Sequence, residues 1–162
     1  MRVALTTIIF LAGTAIACNT SEAPTAESTP APAPAAPTAL APSLPTAEYQ
    51  RLVDSATYID YVFFELAFSM SMSEPPAIQY ALRGISPEPA APQQSCPAMG
   101  RLFFKIGGRT VREADLHFAP GCTYLAFYED GAVAYANELS PSGEAFFNNQ
   151  FRQLLPNYTD IE

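Results

Sequence analysis

The chain has 162 residues, with 16 Asp or Glu against 8 Lys or Arg and a formal net charge of −8. Nucleic acid is thereby excluded as a partner, because its phosphates call for clustered Lys and Arg. The length suits one domain, 11 Phe and 8 Tyr supply a core, and no run of like charge marks an acidic tail.

At the N-terminus a basic start, Met1-Arg2, precedes an apolar run from Val3 to Ala17 broken only by threonines. The run is shorter than the roughly 20 residues a membrane-spanning helix needs. Residues 1–17 therefore read as a signal peptide, to be kept out of fold reasoning. Ala15-Ile16-Ala17 stands directly before Cys18 and resembles a bacterial lipobox, with Ala15 where the usual Leu would be. The resemblance implies a lipid on the Cys18 sulfur, an acyl chain such as palmitate on the new N-terminus, and membrane attachment. Ala-x-Ala also suits an ordinary signal peptidase, which would leave a secreted protein with a free thiol at Cys18. Asn19 replaces the Asp that retains lipoproteins of this type at the inner membrane, so the resemblance points to the outer membrane of a bacterial envelope.

Residues 18–45 hold that cysteine and a Pro/Ala-rich linker without hydrophobic periodicity. As extended polyproline II it spans roughly 80 Å. A Pro-motif ligand for another domain is the other reading of such a segment.

The single domain is expected over 46–162. Thr46 reads as an N-cap, and a helix is expected from there to about Met72. Leu52, Ala56, Ile59, Phe63, Leu66 and Met70 form one stripe at helical spacing. Pro75-Pro76 ends that helix and opens a second, about 76–84, closed by Gly84. Residues 86–99, with four prolines and Cys96, read as a surface loop.

From Gly100 to Glu138 four apolar, β-branched or aromatic runs are separated by Gly107-Gly108, Pro120-Gly121 and Asp130-Gly131. Such dipeptides between strand-forming runs signal hairpins. Strands are expected at roughly 101–106, 110–118, 122–128 and 132–138. Ser140-Pro141-Ser142 then starts a closing helix. Its stripe is Phe147, Phe151, Leu154 and Leu155, its stop is Pro156, and a short frayed tail completes the chain. The expected fold class is α+β: N-terminal helices, a four-stranded antiparallel meander and a C-terminal helix.

Once Cys18 is lipidated, Cys96 and Cys122 remain, and an oxidising envelope allows them one disulfide. Closing that loop is worth roughly 3.5 kcal/mol on the chain-entropy view. A reactive or metal-bound thiol pair is the alternative, without Cys-x-x-Cys or Cys/His spacing behind it.

Alternation assigns the sheet faces. A two-residue turn at Pro120-Gly121 pairs Phe118 with Thr123, Leu116 with Leu125 and Ala114 with Phe127. Ala134 and Ala136 are expected on that same apolar face. The opposite face collects Glu113, Asp115, His117, Tyr124, Tyr128, Val133, Tyr135 and Asn137. A slip of one residue would exchange the faces. Tyr combines apolar area with a hydroxyl, which suits protein or sugar surfaces. This face is the candidate binding face unless a helix covers it. Glu113, Asp115 and His117 span about 13 Å of extended strand, too far for one metal ion without other ligands. No metal or other cofactor is expected.

No nucleophile elbow, Walker loop, His-Glu-x-x-His or dinucleotide-binding glycine pattern occurs. Asp60 and Glu65, placed on an apolar helix, are the acids that burial could tune for catalysis.

The strings GRLFFKIGG, EADLHFAPGCTYLAFYEDG and AYANELSPSGEAFF, with the cysteine and tether before them, resemble small lipoproteins of Bacteroidota-type bacteria over most of 60–155. No activity comes with that resemblance. The functional expectation is a lipid-anchored envelope binding module, whose partner is an envelope protein or glycan. An envelope enzyme, or an inhibitor of an envelope hydrolase, is the alternative.

Overall fold

The computed structural model describes residues 39–155 and 157–161. The expected signal peptide, Cys18 and most of the expected tether lie outside the described residues, as does Pro156. In chain order the elements are α1 (Thr46–Ser55), β1 (Tyr58–Phe63), β2 (Ser69–Met72), α2 (Pro75–Arg83), β3 (Ile85–Pro89), β4 (Gly100–Ile106), β5 (Arg109–Ala119), β6 (Cys122–Glu129), β7 (Ala132–Leu139) and α3 (Pro141–Leu154). The strands form one seven-stranded antiparallel sheet in the order β2-β1-β4-β5-β6-β7-β3.

This corrects the expected fold class. The protein is sheet-rich, and its sheet is not a four-stranded meander behind N-terminal helices. The expected helix over 46–72 ends at Ser55, and Pro45 rather than Thr46 is its N-cap. Residues 58–72 instead make a β-hairpin that extends the sheet beyond β4. Ile59, Tyr61 and Phe63 are buried at period two, while Asp60 and Val62 point the other way. Aromatic and β-branched residues run on both sides of this stretch, so apolar spacing alone fitted a helix as well. The expected loop at 86–99 begins as β3, which pairs with β7.

One face of the sheet carries all three helices. Leu52 from α1, Ile78 and Leu82 from α2, and Phe146, Phe147 and Phe151 from α3 pack with Ile59, Tyr61, Leu102, Phe104, Leu116, Leu125 and Phe127 in one buried cluster. Rings meet edge-on or tilted, as for Phe63 with Phe151 at 5.4 Å and Phe118 with Phe147 at 5.4 Å, geometries the ring quadrupole favours. α3 starts where Ser140, its N-cap, accepts from the Gly143 N–H and donates its own backbone N–H to the Gly84 carbonyl. Gly84 and Gly143 touch backbone to backbone, and a Cβ on Gly84 would lie 2.9 Å from the Gly143 Cα. The α2–α3 crossing therefore needs glycine on both sides.

The folded part begins before Thr46. Leu44 is buried, and the Ala136 N–H donates to the Pro42 carbonyl. The expected frayed tail docks back on α3: Tyr158 packs on Phe151, its hydroxyl donates to Asn148 Oδ1 at 2.6 Å, and the Ile161 N–H reaches the same oxygen. Among the described residues no helix is long and apolar enough to cross a membrane.

Candidate functional site

Among the described residues the second face of the sheet carries no helix, and its two halves differ. Over one half, the loop after β3 runs back across β6 and β7. Cys96 and Cys122 form the disulfide, with Cα atoms 5.9 Å apart. Ala90 and Cys96 then pack with Tyr124, Ala126 and Ala136 in a small second cluster. His117 lies flat on Tyr124, with ring centroids 4.2 Å apart and planes 13° from parallel. His117 Nδ1 is 2.8 Å from the Cys96 carbonyl oxygen, which can only accept, so the N–H sits on Nδ1. Burial holds the His117 pKa below its usual range, and the bond to the Cys96 carbonyl offsets part of that. The Tyr124 hydroxyl accepts from the Gln93 N–H at 3.2 Å. Of these two residues, both expected on an open binding face, Tyr124 is buried and His117 half-buried beneath a disulfide-pinned loop rather than a helix.

Tyr135 and Asn137 depart from expectation for a different reason. The Asp130-Gly131 turn is tight, with positive φ at both residues, and it pairs Tyr128 with Val133, both on the face alternation assigns them. The next pair is Phe127 with Tyr135, so Ala134 is left over as a β-bulge. From there on every β7 side chain sits on the opposite face from the one alternation predicts. Ala136 faces Tyr124, and Tyr135 and Asn137 face the helices. Asn137 is 3% exposed. Its Oδ1 accepts from the Leu44 N–H and its Nδ2 donates to the Ser86 carbonyl, each at 2.8 Å. It braces the chain entering the domain and β3, on the helix side of the sheet.

Among the described residues the other half of this face is open. Straight across five strands run Ser71, Asp60, Phe103, Glu113 and Tyr128, each opposite the next. Beside them lie Val62, Arg101 and Asp115. Arg101 grips Asp115 through Nε at 2.6 Å and Nη2 at 3.1 Å, and Tyr128 Oη donates to the same carboxylate at 2.7 Å. The guanidinium also lies 4.5 Å over the Tyr128 ring and 3.6 Å from Glu113. Bidentate pairing raises the Arg101 pKa, and burial, then the bond to Asp115, raises that of Tyr128. Asp60 accepts from Ser71 Oγ at 2.7 Å and pairs with Lys105. Burial pushes its carboxyl up, but these two partners outweigh it and the net shift is downward. A groove of about 420 Å³ runs along this half, bounded by Arg101, Thr110, Glu113, Tyr128 and Asp130.

The row Glu113, Asp115, His117 therefore does not converge on one point. Glu113 and Asp115 turn to Arg101, and His117 turns to the loop. Asp60 sits on a strand with a lowered pKa, and Glu65 is exposed in the β1–β2 connection. What this half offers is a rigid, amphipathic surface: aromatic and aliphatic side chains between ion pairs already locked in place.

Two residues outside the expected site matter to it. Arg101 continues the alternation of β4, and the open register of that first run hid it. Arg112 lies on the helix side, donates Nη1 to the Tyr128 carbonyl at 2.9 Å, pairs with Glu48 of α1 and stands 5.8 Å from the Tyr135 ring. It fastens α1 to the strand that carries Tyr128. No protein-family description, curated protein or solved structure matches this chain.

Proposed function

We propose that the protein is a lipid-anchored binding module of a bacterial envelope, held through Cys18 at the outer membrane, with the open half of the sheet as its docking face for an envelope protein or glycan. One observation carries the reading. The Arg101–Asp115–Tyr128 cluster braces an amphipathic surface on the one half of the sheet that, among the described residues, neither helix nor loop covers. Preorganised aromatic and Arg side chains are what interfaces draw on. The anchoring is supported by the resemblance of Ala15 to Cys18 to a lipobox, and by the Cys96–Cys122 disulfide, which suits an oxidising compartment. Cell fractionation of Cys18→Ala tests the anchor. The variant is expected in the soluble envelope fraction and the parent chain in the membrane pellet; identical fractionation of the two overturns the anchor.

A further inference from the structure

The seven-stranded sheet has two edges, and they are built differently. β3, at one edge, reads Ile-Ser-Pro-Glu-Pro: Pro87 and Pro89 lack the N–H a new strand would need, and its pairing with β7 is irregular. Prolines and irregular pairing are how proteins blunt an edge against further strands. β2, at the other edge, has no proline, no charge and a regular register from Ser69 to Met72. Among the described residues its backbone bonds reach only β1. Alternate residues of such a strand point their N–H and C=O groups outward.

Residues 69–73 read Ser-Met-Ser-Met-Ser and are palindromic about Ser71. Met70 and Met72 lie half-buried on the helix side, packed against the core, and Tyr61 Oη approaches Met72 Sδ at 3.9 Å. Val62, which stands opposite Ser69 on the face away from the helices, and Phe64 just after β1 are exposed. An exposed apolar side chain, Val62, thus adjoins the edge that lacks proline and charge, whereas the other edge is guarded by its prolines.

We propose that β2 is a seam at which two copies of this chain join their sheets, antiparallel and two-fold symmetric about Ser71. The palindrome selects a second copy over another strand. With Ser71 opposite Ser71, Met70 falls opposite Met72 of the second copy, and Ser69 opposite its Ser73. Side chains directly opposite in an antiparallel pair share a face, so both methionine pairs lie on the helix side, where each covers the other's exposed flank. The segment carries no charge, so two chains of net charge −8 meet at the edge without like charges directly opposed. The seam is short and is expected to be weaker than interfaces of standard size.

The symmetry gives a sharp test. Ser71→Cys, made in the full chain with Cys18→Ala to remove the remaining thiol, places one cysteine opposite itself at a spacing a disulfide spans. Ser69→Cys, also facing away from the helices, meets Ser73 instead. Mild oxidation is expected to convert the Ser71→Cys chain to a covalent dimer and to leave Ser69→Cys monomeric. Sedimentation of the parent chain is expected to show reversible dimerisation that Ser71→Lys abolishes. A parent chain monomeric at all concentrations, equal cross-linking of the two cysteine variants, or adducts to a different protein would each overturn the seam.

Discussion

Arg101 on β4 and Asp115 on β5 lie directly opposite each other, and two hydrogen bonds join their side chains. Asp115 is 7% exposed, and the carboxylate depends on Arg101 and Tyr128 in place of water. Arg101→Ala is expected to destabilise the domain by about 1–3 kcal/mol, because it strands a desolvated carboxylate. Tyr128→Phe removes one hydrogen bond and is expected to cost about 1 kcal/mol. Urea denaturation of both variants checks the order. A Tyr128→Phe variant less stable than Arg101→Ala would show that the guanidinium is not the main partner.

The sealed half carries a pH dependence through His117. Its folded pKa lies below the usual value of 6.5, mainly through burial, while the nearby Asp115 and the Cys96 carbonyl pull it upward. As pH falls, the unfolded chain therefore takes up a proton before the folded one. Stability from this group is full above about pH 6.5 and declines as pH drops through that value toward the folded pKa. His117→Phe keeps a ring on Tyr124 without a titrating group. Denaturation midpoints of the parent chain are expected to fall between neutral and mildly acidic pH more steeply than those of His117→Phe. Parallel slopes would assign the pH dependence elsewhere.

The bulge at Ala134 makes a prediction that regular alternation would not. Tyr135 already stands opposite Phe127, and Ala134 has no partner on β6. Deleting Ala134 is therefore expected to leave every later pair intact and to shift stability by no more than about 1 kcal/mol. Deleting Ala126, which is paired on both sides, exchanges the faces of every residue after it on β6 and is expected to abolish folding. Thermal melts of the two deletions decide it, and an unfolded Ala134 deletion would contradict the assignment.

The turn dipeptides located β4 to β7 in the sequence, because Gly107, Gly108 and Gly131 take the positive φ that such hairpins demand. The pairing across Pro120-Gly121 was legible because no bulge interrupts β5 against β6. The face of β7 was not, since one extra residue inverts it and nothing about Ala134 marks it as the extra one. The β1–β2 hairpin was hidden by its own composition: with Tyr58 and Val62 on one side of β1 and Ile59, Tyr61 and Phe63 on the other, helix and strand periods fit equally, and pairing with β4 decided it. The candidate face was legible in part. Glu113, Asp115 and Tyr128 lie on the open half, His117 and Tyr124 on the sealed half, and Tyr135 and Asn137 on the helix side. A loop folding back over a sheet leaves no periodic signal. The cysteine pair was the one trace of it.

Photo-cross-linking in cells decides whether the open half of the sheet serves as the docking face. A photoreactive amino acid in place of Val62, which is exposed at the rim of that half, is expected to give a discrete adduct to an envelope component. Adding Phe103→Ala, at the centre of the open row, is expected to abolish the adduct while leaving the melting temperature of the purified chain nearly unchanged. An adduct that persists undiminished in Phe103→Ala, or no adduct from Val62 at all, would contradict the account.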